Sequence, residues 1–316
     1  MSDPTSTALP EALIRRVTGL LSPEDLESWW RHVQDPVVAA RWTGASDKID
    51  EAQRAMKAAG LEAKPLPWMH GAWTLGCCDR AEITSIPEFA SQRLFLQSAS
   101  SMAAVMAMAI EPGHDVLDVC AAPGAKTSLI RVQQEGRGVL LANELSRRRS
   151  DRMRSLLSKF SMEDVEIRVG AGEALGGTHA RCFDRVLADV PCSGEGRIRA
   201  ADPSTWARWS PSSIRGLARR QEGLLEAALK CVRPGGELLY ATCTMAPEEN
   251  ERVIDRVLAS GRTPAELLPI NLPLSARRPP IDSWDGWQAS ADLSHCVRLV
   301  ADAQHTPFFM ARLLRV

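Results

Sequence analysis

VLDVCAAPGAKTSLI, residues 116–130, is the stretch that decides the fold of this chain. An apolar run, VLDVC, ends at a Pro-Gly turn, and a segment with helical character follows without a break. A buried strand that leads through a glycine turn into a helix is the repeating unit of doubly wound α/β sheets. Such sheets bind ligands at the carboxyl ends of their strands, beside helix N-termini, so residues 120–126 are predicted to form a binding loop.

Further β-rich runs alternate with amphipathic helical segments after this stretch. The runs are GVLLANE (138–144), VEIRVG (165–170), DRVLADV (184–190) and ELLYATC (237–243). With VLDVC they predict five strands of a mostly parallel sheet. Two terminal runs, HCVRLV (295–300) and FFMARLLRV (308–316), predict an antiparallel hairpin that brings the sheet to seven strands.

Residues 1–110 have a different pattern, in which helical stretches such as PEDLESWWRHV and IDEAQRAMKAAGL dominate. We therefore expect a smaller, mainly helical N-terminal domain over residues 1–110 and a second domain, which contains the sheet, over residues 111–316. The proline-rich segment 263–286 is predicted to be an irregular surface excursion.

The composition is that of an ordinary globular protein: the 316 residues are 45% hydrophobic and 24% charged, which excludes fibrous and disordered classes. No apolar run approaches the roughly 18 residues of a membrane helix, and the first residues, MSDPTSTALPEALIRRV, lack a secretory apolar core. Eight cysteines without a signal peptide favour reduced thiols. We therefore expect a cytoplasmic location, with a mitochondrial one as the alternative, and no membrane partner. Because the histidines are dispersed and no zinc spacing occurs, no metal site is expected.

The binding loop at residues 120–126 lacks the motifs that hold phosphate-bearing cofactors. It contains neither G-x-G-x-x-G, which cradles a dinucleotide, nor G-x-x-x-x-G-K-[ST], which cradles a nucleoside triphosphate. Pro123-Gly124 allows one close backbone approach, and Glu144 ends the next strand, where a carboxylate can accept hydrogen bonds from ribose hydroxyls. These features fit S-adenosylmethionine, an adenosine cofactor without phosphate. From the residues alone, an ordinary β–α turn with Glu144 as a helix cap remains the alternative.

Two cysteines follow the ends of two predicted strands: Cys192 lies in Pro-Cys-Ser-Gly after DRVLADV, and Cys243 lies in Thr-Cys-Thr after ELLYATC. If these strands are parallel neighbours, their ends lie about 5 Å apart, and both thiols face one crevice together with Asp189. A thiolate is suited to attack carbon 6 of a pyrimidine, which makes carbon 5 nucleophilic. The alternative is that both cysteines are small buried hydrophobic residues.

With these motifs the chain resembles the Sun-type RNA (cytosine-5) methyltransferases, a family of bacterial rRNA enzymes and their eukaryotic rRNA and tRNA relatives. The resemblance is strong from about residue 90 to residue 316 and weak before it. The paired Pro-Cys and Thr-Cys motifs are its most specific part. The matching segments are LQSASSM (96–102), VLDVCAAPGAKTSLI (116–130), ANELSRRR (142–149), FDRVLADVPCSGEGRIR (183–199), RQEGLLEAALKCVRPGGELLYATCTMAPEENE (220–251) and FFMARL (308–313).

The resemblance implies the class I S-adenosylmethionine methyltransferase fold and a role for each site residue. Cys243 would be the nucleophile that adds to carbon 6 of cytosine, and Cys192 would assist breakdown of the covalent adduct. Asp189 would bind the cytosine edge, and Lys126 would contact the base or the methionine end of the cofactor. The residues implied to bind the cofactor are Cys120, Ala121, Ala122, Pro123, Gly124, Ala125, Lys126, Glu144, Arg149 and Asp189.

One departure from the family pattern concerns the loop after the third run of the sheet. The family has an aspartate 18 residues before the position of Asp189, whereas this chain has Ala171 there. A hydrogen bond to the adenine amino group is therefore expected to be missing, or to come from Glu173 or from the backbone.

The net charge of −1 by itself argues against a nucleic-acid partner, but it is an average over the whole chain and does not show local basic clusters. Arginine outnumbers lysine 32 to 6, which favours planar guanidinium groups that grip phosphate or stack on bases. Arg197 and Trp209 follow the Pro-Cys motif and are predicted to contact RNA, with Trp209 as a stacking face. The domain over residues 1–110 is expected to have an RNA-binding or accessory role. The basic clusters are Arg147, Arg148, Arg149, Arg152, Arg154 and Lys159, and then Arg215, Arg219 and Arg220.

The sequence therefore predicts an enzyme that transfers a methyl group from S-adenosylmethionine to carbon 5 of cytosine in RNA. Ribosomal RNA is the expected substrate and tRNA the second choice, with ribosomal subunits or assembly proteins as further partners. A catalytically weak or inactive RNA-binding ribosome-assembly factor on the same scaffold is the alternative, because Ala171 departs from the pattern. A DNA cytosine methyltransferase is disfavoured by the Thr-Cys motif.

Overall fold

The computed structural model describes residues 9–43, 48–76, 83–84, 86–90 and 93–316. Residues 1–8, where the segment tested for a secretory signal begins, lie outside the described residues. The helices are α1 Glu11–Leu20, α2 Pro23–Gln34, α3 Ile49–Ala58, α4 Pro87–Ala90, α5 Ala99–Ala107, α6 Ala125–Gln133, α7 Arg147–Lys159, α8 Leu175–Thr178, α9 Pro211–Cys231 and α10 Glu251–Ser260. The strands are β1 Ala39–Trp42, β2 Lys64–Pro65, β3 Ala72–Thr74, β4 Leu94–Leu96, β5 Val116–Asp118, β6 Leu140–Glu144, β7 Glu166–Val169, β8 Phe183–Asp189, β9 Val232–Thr242, β10 Ala265–Leu268, β11 Arg277–Arg278, β12 Ser283–Trp284, β13 Trp287–Gln288, β14 Val297–Leu299 and β15 Phe308–Arg315.

The large sheet has the strand order β11-β14-β15-β9-β8-β5-β6-β7. Strands β7, β6, β5, β8 and β9 are parallel, while β15 runs antiparallel to β9 and β14 runs antiparallel to β15. The strand order reverses at β5, whose two neighbours are β6 and β8. The loop after β5 therefore lies at the switch point where such sheets bind ligands. The doubly wound, mostly parallel sheet with a terminal antiparallel hairpin is confirmed.

The segment 263–286 was expected to be irregular, and this prediction was wrong in part because the segment contributes two edge strands. β10 pairs with residues 312–315 of β15, and β14 pairs with residues 308–310 of the same strand. β11 pairs with β14. These additions are two to four residues long. Prolines are tolerated beside them because an edge strand can lack a ladder hydrogen bond on its outer side.

The described part of residues 9–110 contains the predicted helices, but it also forms an antiparallel sheet that the sequence pattern did not indicate. The strand order of this sheet is β2-β3-β1-β4. All four residues of β1 and all three residues of β3 are buried. Strands this short, and buried on both faces, lack the alternating polar positions by which a strand is recognised.

Two apolar layers cover the faces of the large sheet. Helices α5, α6 and α7 form one layer, and α9 and α10 form the other. Along β8, Leu187 belongs to the first layer, whereas Val186 and Ala188 belong to the second, as expected for a strand buried on both sides. None of the helices in the described part of the chain is long and apolar enough to cross a membrane.

Helices α1 and α2 pack against the loops that follow β8 and β9. Leu13 and Trp29 share a buried cluster with Ile198, Trp209 and Met245. The N-terminal helices therefore lie directly beside the loops that carry Cys192 and Cys243, and they remove the apolar residues of those loops from water.

Candidate active site

The two thiols that were predicted to face one crevice are in contact. Strands β8 and β9 are parallel neighbours, with Asp189 opposite Ala241. The loops after these strands bring Cys192 Sγ within 3.3 Å of Cys243 Sγ. Both side chains are partly exposed, unlike Cys231, which is buried in the core. The juxtaposition inferred from the strand ends is confirmed.

Two sulfur atoms at this separation cannot easily both carry a negative charge, and their surroundings favour ionisation of Cys243. The hydrogen bond from Cys192, with the positive charges of Arg197 and Lys126, outweighs burial and lowers the pKa of Cys243 to about 7. The same hydrogen bond and burial raise the pKa of Cys192 well above its usual value, and the charge of Glu249 acts in the same direction. Cys243 is therefore the thiolate of the pair and Cys192 the thiol.

Lys126 and Asp189 form an ion pair beside the thiols. Lys126, in the first turn of α6, donates from Nζ to Asp189 Oδ2 at 2.6 Å. The Lys126 ammonium lies 5.7 Å from the ring centre of Phe308. Burial opposes the charge on Lys126, but the charge and hydrogen bond of Asp189 raise its pKa, so that it stays an ammonium. A carboxylate acceptor and an ammonium donor therefore lie side by side, which suits the polar edge of a nucleobase.

Buried polar side chains hold the Pro-Cys loop in place, and the sequence interpretation missed them. Glu249 is fully buried and accepts hydrogen bonds from Ser193 N at 2.9 Å and from Gln221 Nε2 at 2.8 Å. Gln221 also donates to Pro191 O at 2.8 Å. These bonds tie the loop of Cys192 to α9 and to the segment that follows β9.

A second buried carboxylate joins the Pro-Cys loop to the Thr-Cys loop. Glu195 accepts hydrogen bonds from Thr244 Oγ1 at 2.9 Å and from Met245 N at 3.0 Å. The hydroxyl groups of Ser193 and Thr244 lie 2.7 Å apart. Glu195 and Glu249 each lie within six residues of a site cysteine, in two loops that the topology makes neighbours. This position could have identified them from the sequence, because buried carboxylates need hydrogen-bond donors from nearby segments.

The loop after β5 has the features of a cofactor-binding loop. Gly124 is the N-cap of α6, with a left-handed φ of 104°, and no side chain caps this helix. The first N–H groups of α6, at Ala125 and Lys126, are therefore free to bind an anionic group such as the carboxylate of S-adenosylmethionine. Asp118 Oδ1 is buried and has no hydrogen-bond partner among the described residues, which suits an ammonium group. These residues fit the expected cofactor.

Other groups at this loop are unsuited to catalysis. Burial raises the pKa of Cys120 far above its usual value, so it stays a thiol and does not compete with Cys243. Pro123 is exposed, while Ala121 and Ala122 are buried in the turn.

Within the described ranges, no group of three or more His, Cys, Asp and Glu side chains could hold a metal ion.

Glu144 and Arg149 close one side of the same loop. Glu144 is buried at the end of β6 and forms an ion pair with Arg149 at 3.2 Å. Arg149 also donates to Ala122 O at 2.6 Å. The cap of α7 is Ser146, whose side chain accepts from Arg149 N, so the alternative interpretation of Glu144 as that cap does not hold. Glu144 and Arg149 therefore pair with each other, and Arg149 also contacts the loop after β5.

The loop after β7 carries no side-chain acceptor at Ala171. Glu173, which was named as a substitute, accepts from Arg220 Nε at 3.0 Å and is engaged with α9. Arg168 Nη1 donates to Asn143 Oδ1 at 2.5 Å and lies 3.5 Å from Ala171 O. The acceptors that this loop offers to an adenine amino group are therefore backbone carbonyl groups.

Trp209 was predicted to stack on a base, and this prediction was wrong. The residue is only 8% exposed, and its Nε1 donates to Glu195 Oε1 at 2.9 Å. Its ring is covered by α1 and α2, which could not be placed from the sequence. Arg197 is exposed and its charge acts on Cys243. A contact of Arg197 with RNA stays a prediction.

The ionisation of Cys243 predicts a pH profile for its reactivity. We expect alkylation of Cys243 by iodoacetamide, followed by peptide mass spectrometry, to increase with pH and to have its midpoint near pH 7, because only the thiolate reacts. Arg197→Gln should move the midpoint upward by about one pH unit, since it removes a neighbouring positive charge.

Arg208→Gln is the matched control for this experiment, because Arg208 is an exposed arginine of the same loop. This variant should keep the wild-type midpoint. A wild-type midpoint near that of a free cysteine, about 8.5, would contradict the assignment of Cys243 as the thiolate.

Comparisons with known proteins find relatives of this chain. The sequence profile of the family described as "16S rRNA methyltransferase RsmB/F" matches residues 105–314. Ribosomal RNA small subunit methyltransferase F of Salmonella agona (strain SL483) is 36% identical over 216 residues, which cover 67% of this chain and 45% of the relative. The protein of the same name from Serratia proteamaculans (strain 568) is 34% identical over 62% of this chain and 42% of the relative. The matching part of this chain thus spans less than half of the length of these curated relatives.

Solved structures share the fold along nearly the whole chain. A methyltransferase homolog protein from Pyrococcus horikoshii has a TM-score of 0.75 and 27% identity, over 98% of this chain and 100% of that chain. NSun6 from Pyrococcus horikoshii with SFG has a TM-score of 0.80 and 18% identity, over 98% of this chain and 99% of that chain. The expected methyltransferase fold is confirmed.

Proposed function

Because this chain belongs to the 16S rRNA methyltransferase RsmB/F family, we propose that it transfers a methyl group from S-adenosylmethionine to carbon 5 of a cytosine in RNA. The observation that carries this proposal is the pair of thiols 3.3 Å apart at the ends of two parallel strands. One thiol is poised as a thiolate and the other keeps its proton. This arrangement suits a reaction that forms a bond to carbon and later breaks it.

The first step is the attack of Cys243 on carbon 6 of the cytosine. The thiolate supplies the electron pair of a new sulfur–carbon bond, and the electrons of the 5,6 double bond move into the ring, which makes carbon 5 nucleophilic. Asp189, as a carboxylate, accepts a hydrogen bond from the exocyclic amino group. The ammonium of Lys126, 2.6 Å from Asp189, stabilises the negative charge that develops on the ring.

The bound S-adenosylmethionine supplies the methyl group as an electrophile for carbon 5. The backbone N–H groups of Ala125 and Lys126 and the free carboxylate oxygen of Asp118 would hold its amino-acid end. Glu144 would hold the ribose hydroxyl groups. The support for this cofactor is the fit of these residues, together with a structure of the same fold that was solved with SFG, an analogue of S-adenosylmethionine.

The last step removes the proton from carbon 5 and expels Cys243. When Cys243 is bonded to carbon 6 it no longer carries a negative charge. The main cause that raises the pKa of Cys192 is then absent. Cys192 can therefore ionise at this stage and accept the carbon 5 proton, while the carbon–sulfur electron pair returns to Cys243.

We propose ribosomal RNA as the substrate, with tRNA as the second choice. The support is the name of the matching relatives, ribosomal RNA small subunit methyltransferase F. The target cytosine has to leave its stack to reach a thiolate that lies in a crevice. The reduced thiols that this chemistry needs fit the cytoplasmic location expected from the cysteine content.

The experiment that tests the function is the methylation of ribosomal RNA in vitro with isotopically labelled S-adenosylmethionine. We expect label in 5-methylcytidine, detected by mass spectrometry of the digested RNA. Bisulfite sequencing of total RNA from cells with and without the gene should then locate the cytosine. Absence of 5-methylcytidine on both rRNA and tRNA would reject the proposed activity, and methylation of duplex DNA alone would reassign the substrate.

The alternative function is a non-catalytic RNA-binding assembly factor, and the observation behind it is Ala171. Titration calorimetry with S-adenosylmethionine separates the two functions. An enzyme should bind the cofactor, whereas a factor with a disabled pocket should bind RNA but show no heat of cofactor binding.

A further inference from the structure

Four arginines on two packed helices converge on one small cleft outside the thiol site. Arg215 and Arg219 lie four residues apart on α9, and Arg252 and Arg256 lie four residues apart on α10, so each pair shares one helix face. The cleft between them has a volume of about 100 Å³, which is room for a phosphate-sized group. Its remaining lining residues are Ala218 and Glu248. We call this group of residues the arginine cleft.

The carboxylate that lines the arginine cleft and a second one that pairs with Arg256 are both neutralised. Glu248 pairs with Arg16 of α1 at 2.7 Å, and Glu222 pairs with Arg256 at 2.7 Å. The four arginines of the cleft together with Arg16, set against Glu248 and Glu222, leave a net charge of +3. No salt bridge or hydrogen bond within the described ranges engages the side chains of the other three arginines, which are Arg215, Arg219 and Arg252.

Two donor groups at this place are buried and unsatisfied. Arg252 Nε and Arg16 Nε are inaccessible to water and have no hydrogen-bond partner among the described residues. A buried N–H without an acceptor costs free energy, and like charges at i and i+4 repel each other. An anion in the cleft would offset the repulsion between the arginines, and guanidinium groups bind phosphate oxygens with two parallel hydrogen bonds.

The arginine cleft lies next to the loop of Cys192. Gln221, which donates to Pro191 O, is two residues beyond Arg219 on the same helix. Glu249, which accepts from Ser193 N, directly follows Glu248 of the cleft. Gln221 lies six positions after Arg215, which corresponds to roughly 9 Å along the helix. A phosphate in the cleft is therefore on the order of 10 Å from the Pro-Cys loop.

We propose that the arginine cleft binds a backbone phosphodiester of the RNA substrate, close to the target nucleotide. The inference rests on the proposed function, because it assigns to the same substrate a contact that positions it at the thiols. Phosphate contacts fix the register of a nucleic acid on a protein without reading its sequence. The cleft therefore acts on affinity and position, and the thiols act on the chemistry.

The double variant Arg215→Gln/Arg219→Gln tests the proposal, because both residues are exposed and the variant should fold. Binding of the full-length protein to rRNA should weaken about tenfold at low salt. The slope of log K against log salt should become shallower by about 0.7 to 0.9 for each phosphate that the variant no longer binds. The KM for RNA should rise about tenfold, while kcat at saturating RNA and the pH midpoint of Cys243 alkylation should stay unchanged.

The matched control is Arg137→Gln/Arg262→Gln, which removes the same two charges at exposed positions that pair with Glu135 and Glu226. This control should keep the wild-type KM and change the salt slope less than the double variant of the cleft. If both double variants behave alike, the effect is bulk charge and the proposal is overturned. If the wild type neither binds nor methylates RNA, the proposed function itself fails. If the wild type methylates RNA and the cleft variant matches it in KM and salt slope, only the arginine cleft is disproved.

A second experiment distinguishes an RNA phosphodiester from a free phosphate ion as the ligand of the arginine cleft. Sodium phosphate is compared with sodium chloride at matched ionic strength, and the thermal midpoint of unfolding is the readout. If phosphate stabilises the wild type but not Arg215→Gln/Arg219→Gln, and both proteins bind RNA equally, the cleft holds a free anion and the RNA contact is overturned. Weaker RNA binding by the variant supports the phosphodiester, whether or not phosphate raises the midpoint of the wild type more than that of the variant.

Discussion

Cys243→Ala is expected to abolish methyl transfer and adduct formation together. The thiolate of Cys243 supplies the electron pair that makes carbon 5 nucleophilic, and alanine has no group that can replace it. We expect kcat to fall on the order of 10⁴-fold or more, as for the loss of other enzymic nucleophiles. Cofactor binding measured by calorimetry should be retained, because the residues that would hold the cofactor lie at the end of β5, in the loop after it and at the end of β6.

The adduct is best followed with RNA that carries 5-fluorocytosine at the target position. Fluorine cannot leave carbon 5 as a cation, so the adduct persists and appears as a protein band of higher mass on denaturing gels. Wild-type protein should form this band, and Cys243→Ala should not. Cys182→Ala, which changes an exposed cysteine away from the site, should behave as wild type. Activity of Cys243→Ala within tenfold of the wild type would assign the nucleophile to another residue.

Cys192→Ala is expected to separate attack from release. Cys243 remains to form the adduct, but no thiol lies 3.3 Å from it to accept the carbon 5 proton. Loss of a general base lowers rates by about 10² to 10⁴-fold, so turnover should fall while adduct with ordinary cytosine RNA accumulates. An absence of adduct, or full turnover, would contradict the role of Cys192 in release.

The pH at which the adduct of Cys192→Ala should form follows from the hydrogen bond between the two thiols. The hydrogen bond from Cys192 is the largest cause that lowers the pKa of Cys243. Without it the pKa of Cys243 should rise, so less thiolate is present at neutral pH and attack is slower there. The adduct of Cys192→Ala should therefore form more readily at about pH 8.5, the usual thiol pKa, than near neutral pH, whereas the wild type should differ little between these values. Cys192→Ser can restore a hydrogen bond, and its adduct should form at a lower pH than that of Cys192→Ala.

The parts of the fold that local patterns describe were predicted well. The alternation of strands and helices after residue 111, the terminal hairpin and the loop at the switch point all follow from runs of about five to ten residues. The strands of residues 9–110 were missed because they are two to four residues long and none of them alternates between buried and exposed positions. Trp209 was misassigned because its burial depends on α1 and α2, which are distant in sequence and cover it in space.

The sequence by itself determined which residues stand at the site, because strand ends in a parallel sheet must meet at one edge. From that rule Cys192 and Cys243 could be paired, together with Asp189 and Lys126. The family resemblance implied that Cys243 is the nucleophile, but only the tertiary structure gave the physical reason for its charge, since Arg197, Lys126 and Glu249 reach the pair from three separate segments. The arginine cleft likewise could be found only in the tertiary structure. Its charges come from α1, α9 and α10, and electrostatic interaction depends on distance in space, which no local pattern records.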